Sequence, residues 1–189
     1  MSGLYLASQS PRRTELLHQV GIDHTVVTSS YVEDNVVITD PIEMVKAQAL
    51  GKARCANDVP DGSIVLGADT IVVFDGKVLG KPHSKDEART MLRTLSGQVH
   101  SVITGVALLI KGREIVFHNE TKVYFKTLQD FEIESYIDSI EPMDKAGAYG
   151  IQGKGALWVD KIEGSYTNVV GLPVEYVYEE LCKALGVKS

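Results

Sequence analysis

The stretch "SIVLGADTIVVFDGKVLG", residues 63–80, contains two apolar runs that meet at the polar motif Gly67-Ala68-Asp69-Thr70. Both runs are rich in valine and isoleucine, which favour β-strands. Asp75-Gly76 is a dipeptide typical of a tight hairpin turn. The stretch therefore predicts strands joined at the GADT motif and followed by a hairpin.

Helix signals alternate with strand signals on both sides of this stretch. Ser10-Pro11 starts a helix after the apolar run "LYLAS", and Ser84 has Glu87 three residues later, as in a capping box. Two β-rich stretches surround Lys111-Gly112 and predict a long antiparallel hairpin. This order predicts an α/β fold, with a mixed twisted sheet and flanking helices, in a single domain covering residues 1–189.

Composition narrows the possible partners. The chain has 189 residues and a formal net charge of −6, which argues against broad binding of nucleic acid or of an anionic membrane. We expect a cytoplasmic protein, because the N-terminus has no signal-peptide pattern and no run is long enough to span a membrane. Cys55 and Cys182 lack metal-ligand spacing and are expected to be small core residues in a reducing compartment.

The turn after the first strand, "SQSPRR", concentrates hydrogen-bond donors. Arg12 and Arg13 lie in the first turn of the predicted helix, where the helix dipole disfavours cations. An oxyanion such as phosphate would accept bonds from the free backbone N–H groups and from both guanidinium groups. The alternative is that the arginines pair with surface carboxylates. A local anion site is the functional interpretation of Ser8, Arg12 and Arg13.

Asp69 interrupts an apolar run, where a carboxylate carries a desolvation cost unless a cation, a metal ion or a catalytic role compensates it. The alternative is a plain β-bulge in which Asp69 caps a backbone N–H. Glu33 and Asp34, after the second strand, could add carboxylates for Mg²⁺, although acidic loop pairs are usually only solvated.

Lys81 and Gln152 are candidate ligand-binding residues in loops. Lys81 precedes a proline beyond the predicted hairpin, from which a flexible cation can reach a ligand, although a lone loop lysine is normally exposed to solvent. Gln152 lies in the glycine-rich stretch "DKAGAYGIQGKG", residues 144–155, and its amide can both donate and accept. The alternative for that stretch is a flexible surface loop.

Six motifs spread along nearly the whole chain resemble those of the Maf family of nucleoside triphosphate pyrophosphatases. They are "SQSPRR", "GADT", "GKP", "MLRTLSGQVHSVITGV", "EPMDKAGAYGIQGKGA" and "GLP". The resemblance implies a cytoplasmic enzyme that needs a divalent cation, Mg²⁺ or Mn²⁺, and forms a homodimer. It also implies a two-lobed fold with a central cleft, similar to that of inosine triphosphate pyrophosphatases.

The resemblance also assigns roles to individual residues. Asp69 matches the proposed general base of the family, and Glu33 matches an acidic residue that would hold metal together with Asp69. Whether Asp69 acts as the base or as a metal ligand stays open. The positions matched to the substrate are Ser8, Arg12, Arg13, Lys52, Thr70, Lys81 and Gln152, of which Arg12, Thr70 and Gln152 match specificity positions.

One branch of the family, which acts on dTTP and UTP, resembles this chain most closely, because it combines SPRR, GADT and an AYGIQG loop. The expected function is therefore hydrolysis of dTTP and UTP, and of related modified uridine nucleotides, to the monophosphate and pyrophosphate, which removes unwanted triphosphates. The alternative is a nucleotide-binding regulator of septum formation that does not need to cleave its ligand.

Base selection by Gln152 has a chemical condition. Uracil and thymine present the acceptor O4 beside the donor N3–H, and a glutamine amide can meet both. Cytosine presents the reversed pattern, which a rotated amide would also satisfy. Gln152 can therefore reject cytosine only if its neighbours fix its orientation.

Overall fold

The computed structural model describes residues 3–32, 38–139 and 141–187. Over these residues the chain forms seven strands in one sheet, flanked by six α-helices. The strands are β1 (Leu4–Ala7), β2 (Thr25–Val27), β3 (Ile64–Phe74), β4 (Lys77–Leu79), β5 (Val99–Ile110), β6 (Arg113–Phe125) and β7 (Val159–Glu163). The helices are α1 (Pro11–Gln19), α2 (Pro41–Arg54), α3 (Lys85–Leu95), α4 (Asp130–Ile137), α5 (Tyr166–Val170) and α6 (Val174–Leu185).

The sheet contains both parallel and antiparallel pairs, so the prediction of an α/β fold with a mixed sheet is confirmed. The strand order is β2-β1-β3-β5-β6-β7, with β4 paired to β3. Strand β1 runs parallel to β2 and β3, whereas β4 is antiparallel to β3 and β7 is antiparallel to β6. Within the described ranges, no helix has the length and apolar character needed to cross a membrane.

The predicted break at GADT is wrong, because β3 is one continuous strand from Ile64 to Phe74. The carboxylate of Asp69 is bonded to Lys52 of α2, so the strand accommodates it without interruption. The predicted turn at Asp75-Gly76 is confirmed, with φ values of 49° and 71° at its two residues. Lys111-Gly112 has φ values of 50° and 74° between β5 and β6, as expected for a type I′ hairpin turn.

The chain divides into two compact units, each assembled from separated segments. Unit 1 contains residues 1–69, 104–119 and 171–189, and unit 2 contains residues 70–103 and 120–170. Strands β3, β5 and β6 therefore each contribute residues to both units.

Helix α2 lies unusually close to the sheet of unit 1. A Cβ atom at Gly67 of β3 would overlap the carbonyl oxygen of Ala49 and would lie 2.8 Å from the backbone nitrogen of Ala53. A Cβ atom at Gly105 of β5 would likewise overlap the carbonyl oxygen of Val45. Glycine at both positions is what allows the helix backbone to contact the strands directly.

The core of unit 2 contains four buried aromatic side chains among aliphatic ones, and His100 is buried beside two of them. His100 is 2% exposed, and its ring lies 4.8 Å from that of Phe125 and 5.3 Å from that of Tyr149. The rings of Tyr136 and Trp158 form another edge contact at 4.6 Å. Burial lowers the pKa of His100 to about 4, so the imidazole is neutral at pH 7.

We expect Gly67→Ala to lower the free energy of unfolding by roughly 1–3 kcal/mol, because overpacking displaces α2 from β3. Urea denaturation measures this change. Gly80→Ala is the matched control, since a Cβ atom at Gly80 would meet nothing within 4 Å. Equal stability of the two variants would contradict the close helix contact.

We expect the free energy of unfolding to fall as the pH is lowered from 6.5 toward 4, because His100 stays neutral in the native state while it takes up a proton in the unfolded chain. The full contribution is roughly 3 kcal/mol. His100→Gln should flatten stability against pH in this window, measured by urea denaturation at several pH values. His118→Gln, at an exposed position of β6, should keep the slope of the unmodified protein.

Candidate functional site

The turn after β1 is organised around the hydroxyl of Ser8. Its Oγ accepts a hydrogen bond from the backbone N–H of Ser10 at 3.2 Å and another from Nη1 of Arg13 at 3.0 Å. Ser10 occupies the N-cap position of α1, as predicted, but its side chain makes no capping bond. Ser8 therefore links the end of β1 to the first turn of α1.

Arg13 is buried, whereas Arg12 beside it is half-buried. The Arg13 side chain points into unit 1, where Nε donates to the carbonyl oxygen of Gly171 at 2.8 Å. The residue is only 9% exposed, so these bonds offset the cost of burying its charge. Arg13 thus ties α1 to the segment before α6, in addition to any role toward an anion.

Asp69 and Lys52 form an ion pair. The Lys52 Nζ lies 2.6 Å from Oδ1 of Asp69, and the two side chains are 19% and 16% exposed. The close packing of α2 against β3 at Gly67 brings Lys52 to this position, one turn beyond the contact with Ala49. The two side chains are therefore largely, but not completely, shielded from solvent.

Strand register places the Ser8 turn, at the carboxyl end of β1, beside the middle of β3 where Asp69 lies. Strands β1 and β3 are parallel, and Ala7 is the partner of Gly67. Ser8 follows Ala7 directly, and Asp69 lies two residues beyond Gly67 in the same direction. In open α/β sheets, ligands bind outside the carboxyl ends of such strands.

The remaining described candidates belong to unit 2. Thr70 is half-buried on β3, while Lys81 and Gln152 are both exposed. The loops that carry Lys81 and Gln152 are joined by a hydrogen bond from the N–H of Gly147 to the carbonyl oxygen of Gly80, at 3.0 Å. Gly147 has a φ of 67°, and a Cβ atom there would lie 2.9 Å from Val72.

Glu33 lies outside the described residues, and Asp69 is the predicted metal ligand that the structure describes. In residues 3–32, 38–139 and 141–187, no group of three or more histidine, cysteine or acidic side chains is placed to hold a metal ion. Mg²⁺ is commonly held by one or two carboxylates together with phosphate oxygens of the substrate. The donor chemistry of Asp69 fits such a cation.

Sequence reasoning missed several residues that support these loops. Tyr136 and Glu141 contact the glycine-rich stretch around Gln152, and Gly171 receives the bond from Arg13. Each contact joins residues that are distant in sequence or separated by a loop. The buried "AYGI" portion was the one visible signal, because apolar residues there imply packing partners.

Comparison with known proteins identifies the family of this chain. The family model described as Maf-like protein matches residues 3–184. The chain belongs to the Maf family. Its sequence is 51% identical over 181 residues to a Symbiobacterium thermophilum protein named dTTP/UTP pyrophosphatase. This alignment covers 96% of this chain and 93% of the relative.

Two further family members carry the same name. The protein from Carboxydothermus hydrogenoformans is 51% identical, with 94% of this chain and 96% of the relative covered. The protein from Bacillus cytotoxicus is 48% identical, with 96% of this chain and 95% of the relative covered. The family resemblance inferred from the motifs is therefore confirmed.

We expect Arg13→Lys to lower the free energy of unfolding by about 1.5–3 kcal/mol, because an ammonium group cannot reproduce both bonds of the buried guanidinium. Thermal and urea denaturation measure the loss. Arg113→Lys, at an exposed position in β6, is the matched control and should leave stability nearly unchanged. An equally small effect of both substitutions would argue against a structural role for Arg13.

Proposed function

We propose that this protein hydrolyses dTTP and UTP to the nucleoside monophosphate and pyrophosphate, removing unwanted triphosphates from the nucleotide pool. The observation that carries the proposal is the Lys52–Asp69 pair, which the strand register places beside the Ser8 turn at the carboxyl end of β1. The high identity to family members named dTTP/UTP pyrophosphatase supports it independently.

Positive charge is the main requirement for holding the substrate. A triphosphate carries about four negative charges, whereas the chain as a whole has a net charge of −6, so cations must be concentrated locally. In the proposal Arg12, Arg13, Lys52 and Lys81 supply these cations. The hydroxyl of Ser8 and the N-terminus of α1 add hydrogen-bond donors.

Asp69 would accept a proton from the attacking water, or orient that water, for displacement at phosphorus. Lys52 bonds Oδ1 of this carboxylate and fixes its direction, which leaves Oδ2 as the oxygen toward the water in this proposal. The same carboxylate could instead hold the divalent cation. Cleavage at the α-phosphorus releases the nucleoside monophosphate and expels pyrophosphate.

A divalent cation, Mg²⁺ or Mn²⁺, is part of the proposal, with Asp69 and Glu33 as its protein ligands. When bound, the cation would neutralise phosphate charge and stabilise the departing pyrophosphate. Arg12, Lys52 and Lys81 would share this charge stabilisation through the chain's own side chains.

Gln152 is the proposed base-reading residue. Its exposed amide can pair with O4 and N3–H of uracil or thymine, while Thr70 and Arg12 complete the specificity positions implied by the family resemblance. Gln152→Ala should therefore relax the preference among bases more than it slows the best substrate.

The wider setting is also a proposal. We propose that residues 1–189 act as one domain, in the cytoplasm, as a homodimer that binds free nucleotides and not nucleic acid. The acidic net charge supports the last point. The apolar side chains of β5 are largely buried within the chain and are not available to pack against a second copy. The proposal of a homodimer therefore depends on the family resemblance.

A panel of nucleoside triphosphates with Mg²⁺ or Mn²⁺ tests the reaction. We expect UTP and dTTP to be the best substrates, and we expect the products to be pyrophosphate and the nucleoside monophosphate. Release of orthophosphate, or the absence of turnover of both UTP and dTTP, would overturn the proposed function.

We expect Asp69→Asn to lower kcat by about 10²–10⁴-fold, because the amide cannot accept the proton. Nucleotide affinity, measured by titration calorimetry, should change far less. Asp61→Asn, at an exposed position before β3, is the matched control and should retain full activity.

Lys81→Ala should show the opposite behaviour, with weaker triphosphate binding as its main effect. Similar small effects of Asp69→Asn and Lys81→Ala would show that the site is misplaced.

A further inference from the structure

The loop of residues 145–155, here called the glutamine loop, contains buried side chains directly before the exposed Gln152. Tyr149 and Ile151 are 5% and 8% exposed, while Gln152 is open to solvent. Ala148, just before them, is fully buried and has a φ of 61°, a value that non-glycine residues rarely adopt. Such a conformation persists only where the surroundings hold the backbone firmly.

Tyr136 of α4 holds this backbone two residues before Gln152. Its hydroxyl accepts a hydrogen bond from the N–H of Gly150 at 3.1 Å and donates one to Oε1 of Glu141, also at 3.1 Å. The ring is 1% exposed and packs against Trp158. Burial raises the pKa of Tyr136 above its ordinary value, so the hydroxyl keeps its proton and can make both bonds.

Glu141 supports the loop on the other side of Gln152. A Cβ atom at Gly153 would overlap the Glu141 carboxylate, so the carboxylate lies directly against the backbone there. A Cβ atom at Gly150 would lie 3.5 Å from Oε1 of the same side chain and 2.6 Å from Cε of Lys145. The Glu141 side chain therefore packs against residues on both sides of Gln152.

His100 provides a second attachment point for the same loop. Its Nε2 and the hydroxyl of Tyr149 are 2.7 Å apart within the aromatic core of unit 2. Two buried aromatic residues, Tyr149 in the loop and Tyr136 in α4, thus restrain adjacent backbone positions. Gln152 extends from a backbone with little freedom to move.

We propose that Tyr136 and Glu141 are positioning residues for base selection, which hold the glutamine loop in the place from which the Gln152 amide reaches the base. This inference rests on the proposed function, in which Gln152 reads the base. Neither residue contacts the nucleotide in this proposal, and both act through the backbone of Gly150 and Gly153.

The physical reason is that a glutamine amide can turn about its last side-chain bond, which exchanges the positions of its oxygen and nitrogen. A freely oriented glutamine can pair with uracil or, after rotation, with the reversed pattern of cytosine. Holding the backbone on both sides limits the side-chain rotamers by which the amide reaches the base, whereas turning of the amide itself is limited by groups beside it. Loosening the loop should therefore weaken the contribution of Gln152 to base selection, and the preference for UTP over CTP should fall without loss of the catalytic groups.

The test compares kcat/KM for UTP with kcat/KM for CTP. Tyr136→Phe keeps the buried ring and removes only the hydroxyl, together with its bonds to Gly150 and Glu141. We expect it to lower the UTP:CTP ratio by about three- to tenfold. The kcat for UTP should change less than the ratio. Tyr176→Phe, at an exposed position of α6, should leave the ratio unchanged.

A second pair of variants covers the case in which Tyr136→Phe folds poorly. Glu141→Ala should lower the UTP:CTP ratio in the same way, and Glu141→Gln should restore most of it, because its amide oxygen can still accept from Tyr136. Thermal denaturation of each variant is measured in parallel. Lower thermal stability with an unchanged ratio in Tyr136→Phe and Glu141→Ala would show a purely structural role and overturn the proposal.

A double-mutant cycle decides whether the effect passes through Gln152. On the Gln152→Ala background, Tyr136→Phe should cause no further change in the UTP:CTP ratio. An equal change on both backgrounds would overturn the positioning role. If the unmodified protein releases no pyrophosphate from UTP, the proposed function itself fails, and this inference falls with it. If the unmodified protein prefers UTP over CTP and Tyr136→Phe leaves that preference unchanged, only this inference fails and the proposed function stands.

Discussion

Direct contact between the backbone of α2 and strands β3 and β5 is the constraint on which unit 1 depends. Two positions without side chains, Gly67 and Gly105, allow it. The close approach sets the height of α2 above the sheet, and with it the distance from Lys52 to Asp69. A larger residue at either glycine would change the electrostatics of the ion pair through the helix position, even though neither glycine carries a functional group.

Much of the fold was visible in the sequence because local rules determine it. Asp75-Gly76 and Lys111-Gly112 adopt the left-handed conformations that hairpin turns demand. Ser84 caps α3 through a bond from the N–H of Glu87, as the spacing predicted. The break expected at Asp69 was wrong because its compensating partner lies 17 residues away in a helix, and a pattern of neighbouring residues does not reveal that partner.

In the candidate site too, some residues could be predicted from the local sequence and others could not. Motif residues such as Ser8, Asp69 and Gln152 could be named from the sequence because their chemistry is unusual for their positions. The burial of Arg13 against Gly171 could not, since the bond joins residues 158 apart and a paired arginine motif looks alike whether buried or exposed. The support that Tyr136 gives to Gly150 is equally hidden, because a tyrosine in an amphipathic helix looks like an ordinary core residue.

The division of the chain into interleaved segments limits how the protein could be shortened or recombined. Unit 1 needs residues from the start, the middle and the end of the chain. Three of the four crossings between the units fall inside strands β3, β5 and β6, and the fourth lies between α5 and α6. A gene fragment that ended after Asp69 would encode β1 and only the first part of β3, without the β5 segment that carries Gly105. Neither unit can therefore be transferred as one continuous module. The smallest continuous piece that contains unit 2, residues 70–170, also includes residues 104–119 of unit 1, and unit 1 itself extends from one end of the chain to the other. Substitutions and changes at the hairpin turns are therefore better suited to varying this protein than exchange of a unit.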